Sequence, residues 1–369
     1  MYITIAVLRE TQPHEQRVAM VPSVADVLIN GLGAKVQIQS GAGEATDHPD
    51  SAFSNVEAIE DRISLVRHAD VVLAVHAPAL EVIDAMKEGA ILISFIYAAL
   101  DPAILQHLIA RKITCFAMER IPDIPQARPM NALASQAAIA GYRSVLLGAM
   151  HLSRSLPELT TSAGVIGPAR VLVLGLGVAG LEAIATAKRM GALVEGYDGS
   201  PEIRSRASAL GVAVIDDRIQ TSECSGRPYE LSAEEWTRVD DILTWHVHQA
   251  DLIITTAAIP GHSSPRPINK KQIDGMKAGS VIVDLSADCG GNCRSSLPGD
   301  ITRIGRVTIV APLHVASQVA ADASNLYAMN LYHLLALMMK DQVIAIDWND
   351  EILAKAVISH AGEERNGGW

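Results

Sequence analysis

The chain has 369 residues, 49% of them hydrophobic and only 4% aromatic, enough for about two domains with aliphatic cores. Acids outnumber bases 41 to 30, a net charge of −11, which argues against a nucleic-acid partner or an anionic membrane surface, since both need a basic face. No run reaches about 18 consecutive apolar residues, MYITIAVLRE carries no basic leader, and four cysteines suit a reducing compartment. A cytoplasmic chain without direct membrane insertion is therefore expected.

In chain order, short β-rich runs alternate with helical patterns, the signature of parallel sheets with crossover helices. The first series predicts strands at ITIAVL, KVQIQS, VVLAVH, ILISFI and ITCFAM, with helices such as SVADVLINGL and DPAILQHLIARK between them. The latter opens on Asp101 and Pro102, a pair suited to a helix N-terminus. GAGE, from Gly41 to Glu44, follows a strand without a clear helix after it and reads as a plain turn.

Next comes ERIPDIPQARPMNALASQAAIAGYR, Glu119 to Arg143, whose first half is Pro-broken and polar and whose second half is spaced for a helix. Such a loop is either a connector or one wall of an active site. A second series of strands follows at RVLVLG, LVEGYD, VAVID, DLIITTA, SVIVDLS and VTIVAP. DRIQTSECSGRPYELSAEEW, Asp217 to Trp236, is the longest loop candidate. Two long apolar helices, near Ala132–Leu152 and Ser324–Met339, are expected to cross between the domains, and the tail after Lys340 to return to the first. The expected domains are residues 1–131 plus 325–369, and residues 132–324. CGGNC, Cys289 to Cys293, has no second Cys/His pair nearby, so a glycine-rich turn is favoured over a metal site.

The most informative segment is RVLVLGLGVAGLEAIATAKRMGALVEGYD. An apolar strand runs into Gly175-x-Gly177-x-x-Gly180 and then a helix. Gly175 permits a tight turn, Gly177 lets backbone approach a pyrophosphate at the helix N-terminus, and Gly180 lets helix and strand pack closely. A second strand ends at Asp198, 18 residues past Gly180, where a carboxylate would bind the adenosine ribose hydroxyls and repel a 2′-phosphate. Strand, motif, helix, strand and acid in register predict a Rossmann-type NAD(H) site. Its expected residues are Gly175, Gly177, Val178, Ala179, Gly180, Asp198 and Gly199, joined by Thr256, Ala257 and Ala258 of TTAAIPG. For those last three, backbone contact with the cofactor and an ordinary loop are equally open from spacing.

These residues carry a resemblance. GVAGLEAIATAKRMGA, TTAAIPG, MKAGSVIVDLSADCGGNC and VAADASNLYAMNL, with QRVAMVPSV and SGAGE near the N-terminus, resemble the NAD(H)-binding component of proton-translocating nicotinamide nucleotide transhydrogenase across essentially the whole chain. Alanine dehydrogenase is a more distant relative on the same plan. The resemblance implies an α/β fold of two doubly wound Rossmann-like domains with NAD(H) in the cleft between them, linked by the two long helices, and commonly a homodimer. It also implies hydride exchange with NADP(H) on a separate subunit, and a membrane subunit, to which this component would be peripheral.

In the transhydrogenase family the loop before the long helix carries an Arg, a Gln and an Asp at the nicotinamide end, and a Ser in the helix. By register these fall at Asp123, Arg128, Asn131 and Ala134, and none matches. Arg128 and Asn131 either supply altered contacts or mark a lost role; the sequence leaves both open. From alanine dehydrogenase, the substrate-binding Arg matches Arg17 and the catalytic Asp matches Asp288, while its Lys falls at His76 and its His at Tyr97. His76, Tyr97 and Asp288 each follow a predicted strand. Converging with Arg17, they would suit a carboxylate-bearing substrate, with Arg17 as clamp. The first expectation is thus a transhydrogenase component, whose ring-to-ring hydride transfer needs no protein acid or base. The alternatives are a stand-alone amino- or keto-acid dehydrogenase and a non-catalytic NAD(H)-binding derivative.

Overall fold

The computed structural model describes residues 2–216, 233–257, 268–287, 290–340 and 342–365, without the side chains of 233–236. It divides into two compact units, Met1–Gln136 with Ala316–Trp369, and Ala137–Val315. Both are doubly wound α/β sheets, as the sequence pattern predicts.

The first unit holds an eight-stranded sheet. Across it the strands run Glu57–Ile59, Lys35–Gln39, Thr4–Val7, Val71–His76, Ile91–Phe95, Thr114–Ala117, Val357–His360 and Glu363–Glu364. The first six are parallel, and Val357–His360 pairs antiparallel with both Thr114–Ala117 and Glu363–Glu364. Central strands of a parallel sheet are covered on both faces and so read as unbroken apolar runs. VVLAVH and ILISF show this, buried at every position but His76. Helix Pro102–Ala110 begins as expected, with the Asp101 side chain accepting the Ala103 N–H and proline in the first turn. Helix Ala320–Met338 also belongs to this unit, and its Tyr327, fully buried, donates its hydroxyl to the Ala74 carbonyl at 2.9 Å.

The second unit has a seven-stranded sheet in the order Ala213–Val214, Leu193–Tyr197, Arg170–Leu174, Leu252–Thr255, Val281–Asp284, Val307–Val310, Ile301–Ile304. Only the last strand is antiparallel. The order reverses at Arg170–Leu174, whose neighbours Leu193–Tyr197 and Leu252–Thr255 lead off in opposite directions. That is the topological switch point at which open α/β sheets bind ligands, beyond the carboxyl ends of the strands.

Most of the long loop expected at Asp217–Trp236 lies outside the described residues, and from Ala233 the backbone is helical as far as Gln249. Among the described residues no helix is long and apolar enough to cross a membrane.

Candidate functional site

At the switch point, strand Arg170–Leu174 ends in Gly175, which has φ +98°. A Cβ there would lie 2.6 Å from Thr256 Oγ1 and 2.9 Å from the Ala257 nitrogen, so both φ and space require glycine. A Cβ on Gly180 would collide with the Gly175 carbonyl oxygen, which ties the start of helix Val178–Arg189 to the strand end. Gly177 differs: among the described residues, apart from its chain neighbours, a Cβ there meets no atom within 4 Å. None of the described residues demands glycine at that position. Gly177 also begins the helix without a side-chain cap. The first-turn N–H groups of Val178, Ala179 and Gly180 therefore have neither an intrahelical acceptor nor a capping one. Gly177 and Val178 are exposed, so these donors open to one side.

Asp198 stands just beyond strand Leu193–Tyr197 and is almost fully buried. Its Oδ2 accepts the Leu176 N–H at 2.8 Å and its Oδ1 the Ser200 N–H at 2.8 Å. The carboxylate thus joins the glycine-rich loop to the next strand–helix turn. Beneath it, Arg204 donates to the Asp198 carbonyl at 2.6 Å and the Gly199 carbonyl at 3.3 Å, and its guanidinium lies 5.6 Å from the Tyr197 ring centre.

Thr256 and Ala257 border the loop, but their backbone groups are largely committed to the protein. The Thr256 N–H donates to Leu174, its hydroxyl to Gly175, and the Ala257 carbonyl accepts from Ser286 and Asn292. Ala258 and Asp288 lie outside the described residues. Composition and motif gave no sign of the residue that holds this edge together. Asp284, fully buried at the end of strand Val281–Asp284, accepts five hydrogen bonds: from Thr255, Ser286 and Asn292 on Oδ1, and from Cys293 and Ser296 on Oδ2. The available signal was an acid closing an apolar run.

In the first unit, Arg17 and His76 come together, with Glu15 between them. Glu15 grips Arg17 from both oxygens, at 2.8 Å to Nε and 2.6 Å to Nη2, and lies 2.8 Å from His76 Nε2. His76 Nε2 is 3.4 Å from Arg17 Nη2, and Arg17 Nη1 donates to Gln136 at 2.8 Å. Burial alone would raise the Glu15 carboxyl, but the Arg17 and His76 hydrogen bonds outweigh it and hold the group well below the ordinary carboxylate range. Behind His76, Glu10 accepts the Val75 N–H at 2.6 Å, and burial pushes its carboxyl up to about 7.

Tyr97 follows the adjoining strand, whose Phe95 pairs with His76. Its φ is +48°, an uncommon conformation for a bulky residue, and the buried Glu119 carboxylate fixes it by accepting the Ile96 and Tyr97 N–H groups. The glutamates 10, 15 and 119 escaped the sequence reading.

The loop ahead of the long helix Ala132–His151 forms a short 3-10 helix, Pro125–Met130, with Ala127 and Met130 buried and Asp123 and Arg128 exposed. Asn131 caps the long helix: its Oδ1 accepts the Ala134 N–H at 2.9 Å. Asn330 pins the loop by donating to the Pro129 carbonyl at 2.7 Å.

Comparison with known proteins gives the family. The family model for the alanine dehydrogenase/PNT N-terminal domain matches residues 6–140, and that for the C-terminal domain matches residues 144–367. An NAD(P) transhydrogenase subunit alpha protein of Rhodospirillum rubrum is 38% identical over 97% of this chain and 96% of its own. An alanine dehydrogenase of Halomonas elongata is 32% identical over 80% of this chain and 75% of its own. The crystal structure of transhydrogenase from Sinorhizobium meliloti superposes with a TM-score of 0.88, at 33% identity over 98% of this chain and 99% of that one. With both of its units matched and relatives aligned nearly end to end, the chain belongs to the alanine dehydrogenase/PNT family.

Proposed function

We propose that this chain is an NAD(H)-binding oxidoreductase of the transhydrogenase type, exchanging hydride between NAD(H) on its second unit and NADP(H) held by a separate partner subunit. The observation that carries the reading is Gly177: a glycine whose Cβ position meets none of the described residues beyond its chain neighbours, next to a helix N-terminus without a side-chain cap at the switch point. The residues fit a dinucleotide. Gly175 and Gly180 fix the turn, the N–H groups of Val178, Ala179 and Gly180 would hold the pyrophosphate, and Asp198 with Gly199 would hold the adenosine ribose. Thr256 and Ala257 flank the loop, and Ala258 is the third residue this reading assigns to the cofactor. Bound NAD(H) supplies the hydride chemistry. The chain's own contribution is to bind, orient and exclude water, with no protein acid or base required.

The transhydrogenase subunit of R. rubrum, and the superposable S. meliloti protein, support this assignment over a stand-alone dehydrogenase. A homodimer, and peripheral attachment to the membrane through partner subunits, belong to the same proposal. Arg128 and Asn131 border the nicotinamide half of the site in this reading, and Arg17, His76, Tyr97 and Asp288 are catalytic only in the dehydrogenase alternative. The test is NADH oxidation with and without an NADP(H)-binding subunit, beside a panel of keto acids with ammonia. Turnover that needs the partner supports the proposal; turnover of a keto acid by the chain alone, lost in Asp288→Asn, replaces it with the alternative.

A further inference from the structure

Helix Ala132–His151 meets the first turn of helix Val178–Arg189 at Gly141. A Cβ on Gly141 would collide with the carbonyl oxygen of Ala179, and would lie 2.9 Å from its carbonyl carbon and 3.0 Å from its Cα. Those are backbone atoms in the first turn of helix Val178–Arg189 and cannot rotate away. On its other side the same turn is held by Gly180 against the Gly175 carbonyl. The first turn is therefore clamped between two glycine contacts, one to the strand end and one to a helix some 40 residues earlier in the chain. The Gly141 backbone is itself fixed, since fully buried Ser144 donates to its carbonyl at 2.7 Å. Elsewhere on this helix, the three atoms nearest a Cβ on Gly148 would all be side-chain carbons of Leu252.

We propose that Gly141 is a positioning residue for dinucleotide binding, setting where the first turn of helix Val178–Arg189, and hence its phosphate-facing N–H groups, stands. The inference rests on the NAD(H) reading of the glycine-rich loop. Gly141 touches no ligand; it acts through Ala179. A methyl group there displaces the N-terminal turn by a few tenths of an ångström or more, and aligned donors lose their match to a phosphate over such distances.

The experiment titrates NADH, ADP and adenosine into the unmodified protein, Gly141→Ala, Gly148→Ala and Gly177→Val. Gly141→Ala is expected to weaken NADH and ADP by at least about tenfold while adenosine, which lacks phosphate, keeps its affinity. Gly148→Ala, which disturbs the packing of the same helix, is expected to leave all three unchanged. A folded Gly141→Ala protein with unaltered NADH and ADP affinity, or one weakened equally for adenosine, overturns the proposal. If Gly177→Val also binds NADH normally, the reading of the loop itself fails; if Gly177→Val loses NADH while Gly141→Ala keeps it, only the inference about Gly141 falls. Should Gly141→Ala not fold, amide exchange in the unmodified protein decides. ADP should slow exchange at residues 141–145 together with 178–181, and slowing confined to 178–181 overturns the proposal.

Discussion

Asp198 Oδ2 accepts the backbone N–H of Leu176 at 2.8 Å, so the residue expected to select the coenzyme also bolts the phosphate loop to the neighbouring strand. Coenzyme choice and loop order are thereby linked in one side chain. A hydrogen bond to a charged group is worth about 1.5–3 kcal/mol. Asp198→Ala should therefore weaken NADH by roughly 10- to 100-fold as well as narrow the NADH-over-NADPH preference. Calorimetric titration with both nucleotides measures this. Equal affinity for the two in the unmodified protein would remove Asp198 from coenzyme selection.

The three glycines of the loop should fail in different ways. Gly177→Val places its Cβ where none of the described residues beyond its chain neighbours comes within 4 Å, so the protein should keep its melting temperature and lose NADH binding. Gly180→Ala drives a methyl group into the Gly175 carbonyl and should lower the melting temperature first. Paired thermal melts and titrations separate the two, and a Gly177→Val protein that binds normally would place the phosphate elsewhere.

Glu10 predicts a pH dependence of stability. Burial, opposed by the His76 charge and the Val75 N–H, raises its carboxyl from 4.5 to about 7 in the folded protein. The folded state then binds this proton more tightly than the unfolded chain. The associated stability is fully present below about pH 4.5, falls as pH rises toward 7, and is absent above it. At about 1.4 kcal/mol per pH unit the whole span is worth roughly 3 kcal/mol. Glu10→Gln keeps an oxygen for the Val75 N–H and should flatten that region of the profile. Urea denaturation of both proteins from pH 4.5 to 8 tests it, and parallel profiles would contradict it.

The loop before the long helix separates structure from function within nine residues. Asn131→Ala should cost about 1 kcal/mol by removing the helix cap. Arg128→Ala, at an exposed position, should leave stability within about 0.5 kcal/mol. Installing the family's Arg, Gln and Asp at 123, 128 and 131 should alter nicotinamide-side affinity or hydride transfer to a partner and leave adenosine binding unchanged. If neither the triple variant nor Arg128→Ala changes binding or turnover, the stretch is a connector.

What was legible in the sequence had a local signature. The doubly wound sheets were readable because their central strands are buried on both faces and written as unbroken apolar runs. The glycine-rich turn was readable because turn, helix start and acid fall at fixed spacing. The clamp at Gly141 was not, since one glycine in an Ala-rich helix says nothing about a backbone 38 residues ahead. Asp284 was missed for a similar reason: its five donors range from Thr255 to Ser296 and meet only in the fold. The strand Glu57–Ile59 is short and mostly exposed, so it lacks the apolar run that marks the others. Glu15 was passed over beside Arg17, although only the folded chain shows that it holds both Arg17 and His76.

Strand Thr114–Ala117, buried throughout, gains its outer neighbour from Val357–His360, more than 200 residues later. During synthesis the second unit leaves the ribosome complete while the first still has an open sheet edge bearing Cys115 and Phe116. Unpaired edges of this kind recruit strands from other chains. The order of translation therefore leaves this edge unpaired until Val357–His360 has been made.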